Sequence, residues 1–203
     1  MQYDANNVAD VCRENIHAET YGHFVKLFIA TGDEQDRLFR AIETVPTIQA
    51  KAQWCFRWFN KSECSFASRL IAFAIVEGVF FCSSFAAIYW FRQRGILPGL
   101  CFSNELIARD ENMHMRFACL LYAELQVKLP REEICAMLDE AVILEKAFFS
   151  GESKRLYAAC LLIFVYSSCT PHSVRWAERQ YDGGVHRVCC RRLAGVSRSS
   201  SSI

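Results

Sequence analysis

The run from Phe66 to Arg92 is apolar almost all round. A helix without a polar stripe buries itself among other helices, so this stretch reads as the centre of a helical bundle. In its middle stands a carboxylate, Glu77. An isolated buried carboxylate is costly, and the usual escapes are protonation, pairing or coordination of a metal ion. Glu77 therefore requires a partner inside the bundle.

Two further segments supply candidates. RENIHAETY places Glu14 three residues before His17, and IARDENMH places Glu111 three residues before His114. Residues i and i+3 share one helical face, so each pair can reach one metal ion from one element. A single Glu-x-x-His is a common accident on a solvated face, whereas two copies in apolar helical sequence are much harder to attribute to chance. Such motifs on two helices, joined by single carboxylates from others, are the ligand plan of a di-iron or di-manganese four-helix bundle. Glu14, His17, Glu77, Glu111 and His114 provide five of its six ligands. Carboxylates and imidazoles in this mixture suit iron and manganese.

The rest of the sequence is compatible with that plan. At 203 residues and 52% hydrophobic content the default is one domain with a sizeable core. Helices are expected over Val8–Ile29, Glu34–Glu43, Ile48–Phe59, Phe66–Arg92, from Ser103 through the second Glu-x-x-His, and over Glu132–Phe149. Gly95 and Pro98-Gly99 read as a loop. Residues 1–149 form the expected domain. Residues 150–203 turn basic, lack a sustained period and end in SRSSSSI; Leu156–Val165 reads at most as a short helix, and the tail is expected to be poorly ordered. Its cysteines and histidines match no compact zinc spacing.

A formal net charge of +1 gives no reason to expect nucleic acid or an acidic membrane as partner. The polar start lacks a signal sequence, and the eleven cysteines then read as thiols in a reducing cytosol. No apolar run is expected to reach a bilayer span, the closest being Leu156–Val165.

Around the candidate ligands the pattern becomes more specific. Tyr21 follows His17 by four residues on nearly the same face, which sets its phenol beside the metal site. Phe81 and Phe85 follow Glu77 at i+4 and i+8, and Ile107 precedes Glu111 by four. An apolar sleeve round a tyrosine next to an oxidising metal pair would shield a phenoxyl radical, although Phe and Ile at helical spacing are by themselves ordinary core. Asp110 reads equally well as the hydrogen-bond acceptor of a ligand histidine and as an exposed acid paired with Arg109.

RENIHAETY, AFAIVEGVFFCSSFAAIYWF and RGILPGLCFSNELIARDENMHMRFACLLY resemble the small, radical-bearing subunit of class I ribonucleotide reductase of the eukaryotic and viral type. The likeness runs over roughly residues 8–149. It implies an all-α, ferritin-like di-iron bundle with two iron ions, manganese being the other candidate. Glu14 and His17 would bind one ion, and Glu77, Glu111 and His114 the other or the bridge. Tyr21 would carry the radical, with Phe81, Phe85 and Ile107 as its pocket, and Asp110 would join His17 to the radical-transfer route. The implied activity is that of an oxidoreductase component serving the reduction of ribonucleoside diphosphates to deoxyribonucleotides. The implied partners are a large subunit that holds the nucleotide and a second small subunit, as homodimer or heterodimer. The family's sixth ligand, an aspartate on an upstream helix, has no counterpart in the thirteen residues before Glu14. The bundle is therefore expected to be incomplete, Asp10 sitting a turn too far down the axis to substitute. The acidic, aromatic docking tail of the family is not recognisable either. Two other functions remain open: a non-catalytic subunit that associates with an intact one and modulates it, and a ferritin-like iron-binding protein.

Overall fold

The structure, a computed structural model, describes residues 5–150, with side chains from Glu14 onward. Asp10 lies on the first helix but its side chain is outside those described, and the expectations for Leu156–Val165 and for the basic tail lie outside the described residues. Among the described residues eight α-helices follow one another: α1 Ala5–Phe28, α2 Gly32–Phe39, α3 Ala41–Thr44, α4 Pro46–Phe59, α5 Phe66–Ile75, α6 Cys82–Gln93, α7 Pro98–Glu124 and α8 Arg131–Ser150. A π-helical turn, Val76–Phe80, joins α5 to α6. No strand occurs among the described residues.

Local chemistry sets most of these ends. Pro46 and Pro98 occupy first-turn positions of α4 and α7, where a missing N–H costs no hydrogen bond. Ser65 caps α5, its hydroxyl accepting the Ser68 N–H at 3.0 Å. Glu132 and Glu133 stand in the first turn of α8, at the positive end of its dipole.

Beyond shifts of one to three residues at other helix ends, three expectations differ. The helix over Glu34–Glu43 is broken at Arg40, which leaves helical geometry (φ −100°, ψ 24°) as it closes α2 and opens α3. The helix expected from Ser103 begins five residues earlier, at Pro98. Leu97, in the left-handed region at φ 51°, turns the backbone so that Pro-Gly opens the helix instead of forming a loop. The apolar helix over Phe66–Arg92 is interrupted by the π turn, which widens the helix around Glu77 and rotates everything after it. The expectation about bilayer spans is also corrected. Phe66–Gln93 as a whole is long and apolar enough to cross a membrane, though it is packed here among other helices.

The main core forms where α5 and the π turn lie against α7, α4 and α8. Ile71, Ile75 and Val79 meet Ala118, Tyr122 and Leu138 there, all at most 2% exposed. Tyr122 keeps its hydroxyl satisfied by accepting the Leu129 N–H at 2.8 Å. Trp54 packs against Trp58 and edge-on to Phe80, as the i, i+4 spacing predicts for the tryptophan pair, and donates its indole N–H to Glu140 at 3.1 Å. A second cluster, Ile88, Phe91, Leu100 and Cys101, closes the α6–α7 hairpin, and Tyr21, Phe24 and Phe28 of α1 pack onto it. That contact sets α1 beside α7, so the two Glu-x-x-His motifs face one another.

Candidate metal centre

The five candidate ligands converge. Donor atoms of Glu14, Glu111 and His114 lie within 4.8 Å of one another, close enough for one cation to touch all three. Nδ1 of His114 is 3.4 Å from Glu14 Oε1, 3.2 Å from Glu111 Oε2 and 3.9 Å from Glu77 Oε2. Nδ1 of His17 is 3.0 Å from Glu111 Oε1 and 3.5 Å from Glu14 Oε1. Glu14 and Glu111 thus stand between the two imidazoles, and Glu77 approaches from the π turn. His17, Glu111 and His114 are buried, whereas Glu14 remains half exposed at the edge of the cluster.

Asp110 is the acceptor of His17 and not an isolated acid. Its Oδ2 lies 3.3 Å from His17 Nε2. With Nε2–H donating to Asp110, Nδ1 carries the lone pair that a metal requires. Nδ1 of His17 is buried and makes no hydrogen bond, although two carboxylate oxygens face it. Lone pairs held this close repel unless a positive charge lies between them. The donor set, three carboxylates and two imidazoles on three elements, therefore fits a metal ion, and its oxygen and imidazole donors suit iron or manganese better than a thiolate-seeking metal.

Tyr21 lies beside this cluster in a cavity of ≈ 490 Å³ that Glu14, His17 and Glu111 also line. Phe81, Phe85 and Ile107 line the same cavity, so the structure brings all three residues of the expected sleeve to the tyrosine. Phe81 and Phe85 stack at a tilt, 6.0 Å between centroids. Burial raises the Tyr21 phenol far above its ordinary pKa, and the charges of Glu111 and Tyr89 raise it further. The phenol therefore stays protonated. Its O–H donates to Asn104 Oδ1 at 3.3 Å.

Sequence reasoning missed three residues of the site, Asn104, Phe24 and Phe28, and one buried carboxylate away from it, Glu145. Asn104, fully buried, shares a face of α7 with Ile107, Glu111 and His114 at spacings of three, four and three, a pattern that was open to reading. Phe24 and Phe28, at i+3 and i+7 from Tyr21, extend the apolar wall and stack with centroids 5.7 Å apart. Glu145 is fully buried on the core face of α8 and follows Leu138, Ala141 and Val142 at core spacing.

The fold and the cluster define a ferritin-like helical protein with a carboxylate–histidine cluster that could hold a metal ion. The family model for the ribonucleotide reductase small chain matches residues 7–155, and the protein belongs to that family. It is 52% identical over 135 residues to the ribonucleoside-diphosphate reductase small chain of Nicotiana tabacum, an alignment that takes in 66% of its own length and 41% of the relative's. To the small chain of Spisula solidissima it is 49% identical over 140 residues, 69% of its own length and 36% of the relative's. Among solved structures it is similar to the ribonucleotide reductase Rnr4 homodimer of Saccharomyces cerevisiae, with TM-score 0.60 and 28% identity over 77% of its own length and 46% of the other's. The sequence spans about two fifths of the length of the curated relatives it matches.

Proposed function

We propose that this chain contributes the metal-binding and radical-forming part of a ribonucleoside-diphosphate reductase small subunit. The observation that carries this reading is the convergence of Glu14, His17, Glu77, Glu111 and His114 on one cluster with Tyr21 in the adjoining apolar cavity. A pair of iron ions, or manganese, would supply the one-electron oxidising power. The protein's own residues do the rest. Asp110 fixes the tautomer of His17, Glu14 and Glu111 offer oxygens to both imidazoles, and Phe81, Phe85 and Ile107 keep water away from the phenol. Asn104 takes the phenolic hydrogen bond and holds the ring in one orientation. Asp110, on the outer side of His17 and partly exposed, is suitably placed to begin a route towards the surface. A large subunit would hold the nucleotide and receive the oxidising equivalent along that route.

Association with a second small subunit belongs to the same proposal. Phe102, Leu106, Met113, Phe117 and Leu120 expose an apolar stripe along α7, larger than single surface hydrophobes explain. The cytosol is the compartment proposed, in keeping with the free thiols of Cys55, Cys64, Cys101 and Cys135. Anaerobic loading of the purified protein with ferrous ion, followed by oxygen and electron spin resonance, tests the reading. A tyrosyl signal that disappears in Tyr21→Phe supports it; iron uptake and oxidation unaffected by Tyr21→Phe would instead favour a ferritin-like role.

A further inference from the structure

Lys51 of α4 and Glu145 of α8 form an ion pair in the core, Nζ to Oε2 at 2.7 Å, with Glu145 fully buried. Neither residue touches the candidate metal cluster. Both grip the helix that carries Glu77. Lys51 Nζ donates to the carbonyl of Phe80 at 2.6 Å, at the end of the π turn. Glu145 Oε1 accepts the backbone N–H of Ser83 at 3.0 Å and also the Ser83 hydroxyl, in the first turn of α6. The ammonium is further enclosed by aromatic faces, 5.0 Å from the centroid of Phe80 and 4.1 Å from that of Phe148.

The placement matches a specific backbone junction. Where a π turn gives way to an α-helix the regular ladder changes register, and a carbonyl before the junction or an amide after it can take a side-chain partner. Here the carbonyl receives a cation and the amide an anion. The two charges neutralise one another, which makes their joint burial tolerable. A π turn also inserts a residue and so rotates the side chains on either side of it relative to one another. The direction of Glu77 towards His114, and of Phe81 and Phe85 towards Tyr21, therefore depends on where that break is held.

We infer that Lys51, Glu145 and Ser83 form a buried clasp that fixes the π-helical break between α5 and α6 and thereby aims Glu77 at the metal centre. They are positioning residues, acting through the backbone. This inference rests on the metal-centre reading above for its second half, and on backbone geometry alone for its first.

The test uses the whole 203-residue chain with Co(II), whose visible spectrum reports ligand number and geometry, together with amide hydrogen exchange of the metal-free protein. Lys51→Met and Glu145→Gln are expected to retain helical circular dichroism, to accelerate exchange over residues 76–83 selectively, to weaken Co(II) about tenfold, and to change its spectrum. Lys51→Arg, which keeps charge and donors, is expected to restore much of the wild-type spectrum. Ser83→Ala removes one hydrogen bond and leaves the ion pair intact. It is expected to give the same changes in smaller measure, and it decides the matter should Lys51→Met fail to fold. Normal exchange and a normal Co(II) spectrum in folded Ser83→Ala, with unfolded Lys51→Met, would reduce the pair to a general stability contact and overturn the inference. Folded variants with wild-type exchange and spectrum would overturn it as well. Failure of the metal reading would be seen separately, as a wild type that binds no Co(II), while the exchange data would still show whether the break is clasped.

Discussion

Asp110 Oδ2 lies 3.3 Å from His17 Nε2, so the helix bearing the second Glu-x-x-His orients the imidazole of the first. The aspartate comes from α7 and the histidine from α1, ninety-three positions apart. Asp110→Ala removes the acceptor that keeps the Nδ1 lone pair facing Glu14 and Glu111. Metal affinity is expected to fall by roughly 10–100-fold, measured by titration with Fe(II) or Co(II). Helical circular dichroism should stay unchanged, because Asp110 is partly exposed and not part of the apolar core.

Tyr21 gives a pH prediction of definite sign. Its folded pKa is raised, first by burial and then by the charges of Glu111 and Tyr89, while in the unfolded state it returns to about 10. The unfolded state then releases the proton first as pH rises. The contribution of Tyr21 is constant below pH of about 10 and is lost as pH climbs through the window between the unfolded and folded values. Spectrophotometric titration of the phenols should place Tyr21 among the last to ionise, and Tyr21→Phe should remove that late component and flatten the alkaline loss of stability. A Tyr21→Phe curve identical to wild type above pH of about 10 would refute this.

How much of this was readable without coordinates differs by element. Glu14, His17, Glu111 and His114 were legible because i, i+3 spacing is a local property of a helix, and Glu77 because a charge inside an apolar run is conspicuous. Tyr21 and Ile107 followed from the same arithmetic, whereas Phe81 and Phe85 rested on a regular helical count from Glu77 that the π turn does not keep, although both line the cavity. The two readings of Asp110 could be separated only by tertiary structure, since nothing local says that His17 would lie opposite. The π turn was invisible, because one added residue in a helix leaves the composition unchanged. Glu145 escaped for a related reason: its partners, Lys51 and Ser83, lie ninety-four and sixty-two positions upstream in other helices. The break at Arg40 and the early start of α7 at Pro98 depend on single backbone angles that propensity averages out.

The carboxylate cluster predicts a trade between stability and binding. The side chains of Glu77 and Glu111, 8% and 5% exposed, lie within reach of His114, and concentrating carboxylates in one apolar site opposes folding until a cation enters. Saturating metal, at about 100 times its dissociation constant, should therefore stabilise the wild type by about 2.7 kcal/mol. Glu77→Gln should lose most of that increment while leaving the metal-free protein at least as stable. Thermal melts of both proteins, with and without Co(II) and after chelation, provide the comparison. An undiminished metal-induced shift in Glu77→Gln would remove Glu77 from the ligand set.

The turn that launches α7 sets the register of Asn104, Ile107, Glu111 and His114, and two glycines near it should respond in opposite directions to the same substitution. Gly95 lies at φ +68°, and an added Cβ would meet nothing within 4 Å. Gly95→Ala therefore carries only the cost of holding an L-residue in the left-handed region, about 1–2 kcal/mol of destabilisation. Gly99 also has open space for a Cβ, but it sits in the first turn of α7 without a positive φ. Gly99→Ala lowers the entropy of the unfolded state at no steric expense and should stabilise by about 0.4–1 kcal/mol. Chemical denaturation with equal m-values isolates these differences. Because neither substitution touches the cluster, Co(II) affinity should remain within about twofold of wild type in Gly99→Ala, while any loosening of α7 in Gly95→Ala would appear as weaker binding.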